Sequence, residues 1–252
     1  MSTVLFELCG ETLLSAQAAE RGGAGRVALC ARLDISGVTP SQTLTAAVVQ
    51  ALSIPVHVLI RPRGGDFDYT AGEFAQMRRQ IQWVKESGAA GVVLGILLAD
   101  GRVDIGRSRE LVELARPLKV TFNRAFDEAP DLGNALEAVI ATGADCLLTS
   151  GGATNVHTGA AQIAQLLRRA GDRIGIMAGG GLKLASLAEL LERTGVHCVH
   201  GSLTRRSPEC GQPTTNDHSS ASKADSLEAD VRAAVTLLQR HFAGDKITAS
   251  AR

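Results

Sequence analysis

The stretch Val56 to Thr70, VHVLIRPRGGDFDYT, starts as an apolar strand and breaks into two arginines, a proline and two glycines. An arginine offers a planar, permanently charged fork that matches carboxylate or phosphate, and Gly64-Gly65 lets the backbone approach a ligand closely. The same stretch also reads as a turn with a solvated charge pair, so what stands beside it decides. Other apolar runs end alike: in Glu7 and Cys9, in Cys30, in Asn123-Arg124 with Asp127, in Ser150-Gly151-Gly152, in Ala178-Gly179-Gly180-Gly181 and in His200-Gly201-Ser202. Three chemistries follow. Arg61 and Arg124, with the loops carrying Ser150, Gly151, Gly152, Gly179, Gly180, Gly181, His200 and Ser202, suit an oxyanion, because guanidinium forks and backbone amides both donate to one. Glu7 and Asp127 are the candidate acid and base. Cys9 and Cys30 are soft thiols of the kind that selects Cu(I), although small buried cysteines are also ordinary core residues.

The elements that position these residues repeat one phrase: an amphipathic run, a glycine, then four to six apolar residues. The strands are expected at Val4–Leu8, Arg26–Cys30, Val56–Ile60, Gly91–Gly95, Leu118–Phe122, Cys146–Ser150, Arg173–Met177 and His197–Gly201. Between them lie helix-period runs such as EFAQMRRQIQWVKESG and AAQIAQLLRRAG, most ending in the glycine expected past a helix C-terminus. Thr70 and Glu73 have capping-box spacing, so a helix starts straight after the arginine loop. Parallel strands alternating with helices most simply close into a single α/β (β/α)8 TIM-like barrel over residues 1–252, with an open doubly wound sheet as the structural alternative. The loops after the strands then meet at one mouth. Residues 204–226, polar and rich in Ser, Thr and Pro, read as a mobile loop before a last helix over Leu227 to Phe242.

Composition narrows the partners. With 26 basic and 26 acidic residues, no net field draws the chain to nucleic acid or an anionic membrane, which leaves a small anionic molecule as the expected ligand. No apolar run approaches the ~18 residues of a membrane span, and the N-terminus lacks a signal-peptide pattern, so a cytoplasmic protein is expected. Five scattered cysteines argue against a disulfide framework and for reduced thiols.

The segments IPVHVLIRPRGGDFDYT, GVVLGILLADGRVD, VTFNRAFDEAPD, LLTSGGA and IMAGGGL, in this order from about Glu7 to Leu203, resemble the CutC family, long labelled copper homeostasis proteins. The resemblance implies a TIM-like barrel, a cytoplasmic location, a homo-oligomer (dimer or tetramer) and an association with copper tolerance or Cu(I) binding. Two positions depart from the family pattern: Ala28 stands where RIELC has a glutamate, and Asn123 where FHRAFD has a histidine. Both departures remove a titratable group near the mouth. Three functions therefore compete: Cu(I) handling by Cys9 and Cys30, a barrel enzyme acting on a small phosphorylated or carboxylated metabolite, and a relative that keeps the barrel without the chemistry.

Overall fold

The structure, a computed structural model, describes residues 4–203 and 218–249. Eight parallel strands close a barrel in chain order: β1 (Leu5–Gly10), β2 (Arg26–Leu29), β3 (Val56–Leu59), β4 (Gly91–Leu94), β5 (Lys119–Phe122), β6 (Cys146–Thr149), β7 (Gly175–Gly179) and β8 (Cys198–Gly201). Alternating with them are α1 (Leu13–Arg21), α2 (Gln42–Ala51), α3 (Ala71–Glu86), α4 (Ile105–Ala115), α5 (Leu132–Thr142), α6 (Ala160–Ala170), α7 (Leu187–Thr194) and α8 (His218–Ala249). The barrel is thus the closed form of the two architectures.

The main core is the sleeve between strands and helices. Outward strand residues Phe6, Leu8, Val27, Leu29, Val58, Val92, Leu94, Val120 and Phe122 are all buried there, each contributing about 1.5–3 kcal/mol relative to exposure. Helices answer with side chains three and four residues apart, as Ala160, Ile163, Leu166 and Ala170 do on α6. Because strand side chains alternate, the intervening residues Glu7, Cys9, Ala28, His57, Thr121, Met177 and His200 face the barrel axis, which makes the interior unusually polar.

The Thr70 cap forms as the spacing requires: Thr70 Oγ1 accepts from the Glu73 amide at 3.3 Å, and Glu73 Oε2 accepts from the Thr70 amide at 2.8 Å. Most strand ends lie within one residue of the sequence pattern; the larger departures are β1, which runs on to Gly10, β7 and the last helix. β7 runs Gly175–Gly179 instead of Arg173–Met177: the Arg173 amide still donates to the Ala170 carbonyl at 3.2 Å in the turn after α6, and Gly179, the first glycine of the run, closes the strand. The last helix starts at His218 instead of Leu227. Residues 218–226 contain neither Gly nor Pro, and polarity alone does not prevent an exposed helix. Residues 204–217 of the expected loop lie outside the described residues. α8 is anchored by buried Val231, Ala234 and Leu238, and by Glu228 accepting from Arg21 at 2.7 Å. No helix of the described residues is long and apolar enough to cross a membrane.

Candidate functional site at the barrel mouth

The C-terminal strand ends open into a cleft of about 1540 Å³. Ala28, Leu59, Val93 and Leu148 give it an apolar lining, while Arg124, Asp127, Glu128, Lys183 and His200 bring charge and hydrogen-bonding capacity. A small molecule with an apolar body and an ionic head fits such a surface.

Below the mouth, three side chains form a line. Glu7 is 1% exposed; one oxygen pairs with Arg26 Nε and the other with His200 Nδ1, at 2.7 Å. Burial alone would raise the Glu7 carboxyl, but the Arg26 charge and the His200 hydrogen bond outweigh it and lower the pKa to about 2. Glu7 is therefore a fixed anion at neutral pH. It stands behind His200, which itself lines the cleft. His57, also inside the barrel and 3% exposed, has a pKa lowered to about 4 by burial and then by Arg26, and stays neutral.

The loop after β6 does not wait for a ligand. Asp127, on the 3₁₀ turn Arg124–Glu128 that follows β5, reaches across and accepts from Thr149 Oγ1, from the amides of Ser150 and Gly152, and from Ser150 Oγ. The Gly151 amide donates to Thr149 Oγ1 at 2.8 Å. The amides of Ser150, Gly151 and Gly152, candidates for an external oxyanion, are thus engaged internally, and the protein's own carboxylate sits where an anion would. This also ties up Asp127, whose lone pairs are directed at donors. Its remaining partner is Arg124 Nε, at 2.9 Å.

Arg124 keeps reach into the cleft. Nη2 donates to Ser150 Oγ at 3.1 Å, and the side chain is 40% exposed. The guanidinium lies against Gly180: a Cβ there would sit 2.9 Å from Arg124 Cζ, and Gly180 holds φ +114°, a conformation that side chains resist. Gly179 belongs to β7, paired with His200, and a Cβ on it would meet the His200 Cβ at 2.9 Å. Gly181, with φ +64°, continues the turn, and Ser202 lies on the same cleft wall.

Arg61 takes a different part from Arg124. It is 4% exposed, and its Nη1 donates to the carbonyls of Ile35 and Gly37 at 3.1 and 3.0 Å, its Nη2 to that of Gly65 at 2.6 Å. The guanidinium also stacks 4.6 Å from the Phe67 ring centre. It clasps two loops together, leaving Nε without a partner on a residue that borders the cleft. Arg63, its neighbour, pairs with Glu73 and Asp66.

The two candidate thiols do meet. Cys9 and Cys30, on adjacent strand ends, place their sulfurs 3.7 Å apart, and Cys30 is buried. The hydrogen bond shared with Cys30, then burial, then the negative charge of Glu7 and Glu11 hold the Cys9 thiol well above its ordinary range. Among the described residues, no cluster of three or more His, Cys, Asp or Glu side chains is arranged to hold a metal. Cys146 and Cys198 open β6 and β8 at the far end, and burial pushes the Cys146 thiol up to about 12.

At the two departures, Ala28 lines the cleft beside Cys9, its register partner. Asn123 Oδ1 caps the 3₁₀ turn through the Ala125 amide at 2.9 Å, which leaves its Nδ2 as a donor on the cleft wall. Glu128 was not singled out by sequence; partial burial lifts its carboxyl above the usual range against the pull of Arg61 and Arg124. Its only signal was adjacency to Asp127 in RAFDE.

A family model described as the CutC family matches residues 4–205. The chain is 45% identical over 198 residues to a family protein CutC of Chromobacterium violaceum, covering 79% of this chain and 80% of that one. It is 41% identical over 204 residues to one from Vibrio cholerae, with 80% of each covered. Among solved structures, the CutC protein of Streptococcus agalactiae superposes with a TM-score of 0.76 at 31% identity, over 80% of this chain and all of that one. The family model spans every strand of the barrel, from β1 to β8, and the chain belongs to the CutC family.

Proposed function

We propose that the chain handles Cu(I) at the dithiol of Cys9 and Cys30, as cargo at the barrel mouth. The observation that carries this reading is the 3.7 Å approach of the two sulfurs at the cleft. Two convergent thiols, with no cluster of three or more His, Cys, Asp or Glu arranged for a metal among the described residues, suit a soft, low-coordinate cation better than the four-ligand demand of a structural zinc. The Streptococcus agalactiae relative is named, provisionally, for copper homeostasis, which agrees with this cargo. Competition against a Cu(I) chelator tests it: one Cu(I) per chain for the wild type and none for Cys9→Ser/Cys30→Ser is the expected result. Binding that survives in the double variant removes the assignment.

A second reading is favoured by a separate observation, the Arg124 guanidinium packed on Gly180 and open to the cleft. It makes the mouth a site for a small carboxylate or phosphate, held by Arg124 and the Gly180–Gly181 turn. Calorimetry with inorganic phosphate on wild type and Arg124→Gln is the test. Equal heats refute it.

A further inference from the structure

We propose that His200 is a general base that takes a proton from a carbon next to a carbonyl in a small anionic compound seated on Arg124. The proposal rests on the second reading above. Its basis is the line Arg26, Glu7, His200. A carboxylate that is buried, ionised and held by an arginine accepts from Nδ1 of the imidazole at 2.7 Å, so that nitrogen carries the proton. Nε2 is then a lone-pair base, and His200 borders the cleft. Glu7 and Arg26 are positioning residues: they fix the tautomer and the ring, and touch no ligand.

The glycine turn sets the distance between base and anion site. Gly179 abuts the His200 ring and Gly180 abuts the Arg124 guanidinium, and consecutive Cα atoms are ~3.8 Å apart. The two groups therefore flank one dipeptide, a span that suits a compound of a few carbons bearing a carboxylate or phosphate at one end. With the anion on Arg124, the C–H bond next to the carbonyl breaks. Its proton goes to His200 Nε2, and the electron pair moves to form the enolate, with the charge on the former carbonyl oxygen. Asn123 Nδ2 on the cleft wall is a donor for that oxygen. Return of a solvent-exchanged proton from His200 to the same carbon restores the carbonyl and gives exchange, which needs no oxidant, reductant or second substrate.

Pyruvate and dihydroxyacetone phosphate are the probes, one for each kind of anion. In D2O, proton NMR should show the C–H signals of at least one of them decaying with the wild type, and at least about 100-fold more slowly with His200→Gln. Binding is followed in parallel by saturation-transfer NMR on wild type and Arg124→Gln. Arg124-dependent binding of either probe without exchange above buffer overturns the proton transfer and leaves the anion site standing. No binding of either probe overturns both. Because His200→Gln disturbs the barrel's polar line as well as the base, ¹⁵N shifts of the wild-type ring give an independent check: the neutral ring is expected to carry its proton on Nδ1 and leave Nε2 bare, and the reverse tautomer ends the proposal.

Discussion

Replacing Glu7 by Gln isolates the contribution of the buried line. The carboxyl is 1% exposed, and Arg26 and His200 hold it at about 2, against 4.5 for an unperturbed glutamate. At about 1.4 kcal/mol for each pH unit, that difference represents on the order of 3 kcal/mol of folding stability. The sign follows from the direction. A group depressed in the fold stabilises it above the unfolded value near 4.5, and the benefit drains away as pH falls toward 2. Gln preserves the volume but leaves Arg26 in the barrel without its counter-charge, the kind of change that commonly destabilises by about 3–5 kcal/mol. Urea unfolding of both proteins is therefore expected to show a gap of about 3 kcal/mol at pH 7 with unchanged m, steady above pH ~5 and narrowing below it. A variant within about 1 kcal/mol of wild type at pH 7 would refute the reasoning, as would a gap equally wide at both ends of the range.

Arg61→Met releases the carbonyls of Ile35, Gly37 and Gly65 and is expected to cost about 3 kcal/mol in the same assay; a loss below about 1 kcal/mol would show that the clasp is not structural. Asp127→Ala exposes the Ser150 and Gly152 amides, so added formate should raise the melting temperature of the variant and leave the wild type unmoved. If formate acts on both alike, the nest is not empty in the variant. Gly180→Ala forces a Cβ against Arg124 at a strained φ and is expected to destabilise by about 1–2 kcal/mol. It should also weaken phosphate binding by calorimetry, and unchanged affinity would separate Arg124 from the anion site.

The repeat of apolar runs and glycines was enough to specify the closed barrel, because each strand and helix signals itself locally. The Cys9–Cys30 meeting was legible for the same reason: both residues end neighbouring strands, and register does the rest. What the pattern could not convey is which polar group turns to which partner. Arg61 and Arg124 look equivalent as strand-end arginines, yet one is used on backbone carbonyls and the other reaches the cleft. The Ser150-Gly151-Gly152 loop has the composition of an anion nest, and the anion is Asp127, 23 residues upstream. Likewise Glu7 and His200 lie 193 residues apart, so their contact exists only once β8 closes onto β1.

That closure also bears on copper, because it brings the negative charge of Glu7 close to the thiols. In the metal-free protein the Cys9 thiol is held well above its ordinary range by Cys30, burial and nearby carboxylates, so it is protonated at neutral pH. A thiolate, not a thiol, is the ligand, and Cu(I) must therefore expel at least the Cys9 proton on binding. One proton released makes the apparent dissociation constant fall about tenfold for each unit rise in pH. The same carboxylates that disfavour the bare thiolate favour the arriving cation, so binding tightens with pH without the site opening. Chelator competition between pH 6 and 8, corrected for the chelator's own protonation, should give at least about two decades of tightening, and more if Cys30 also loses its proton on binding. Affinity that stays flat across that range would mean that Cys9 is not a thiolate ligand, and the dithiol assignment would fall with it.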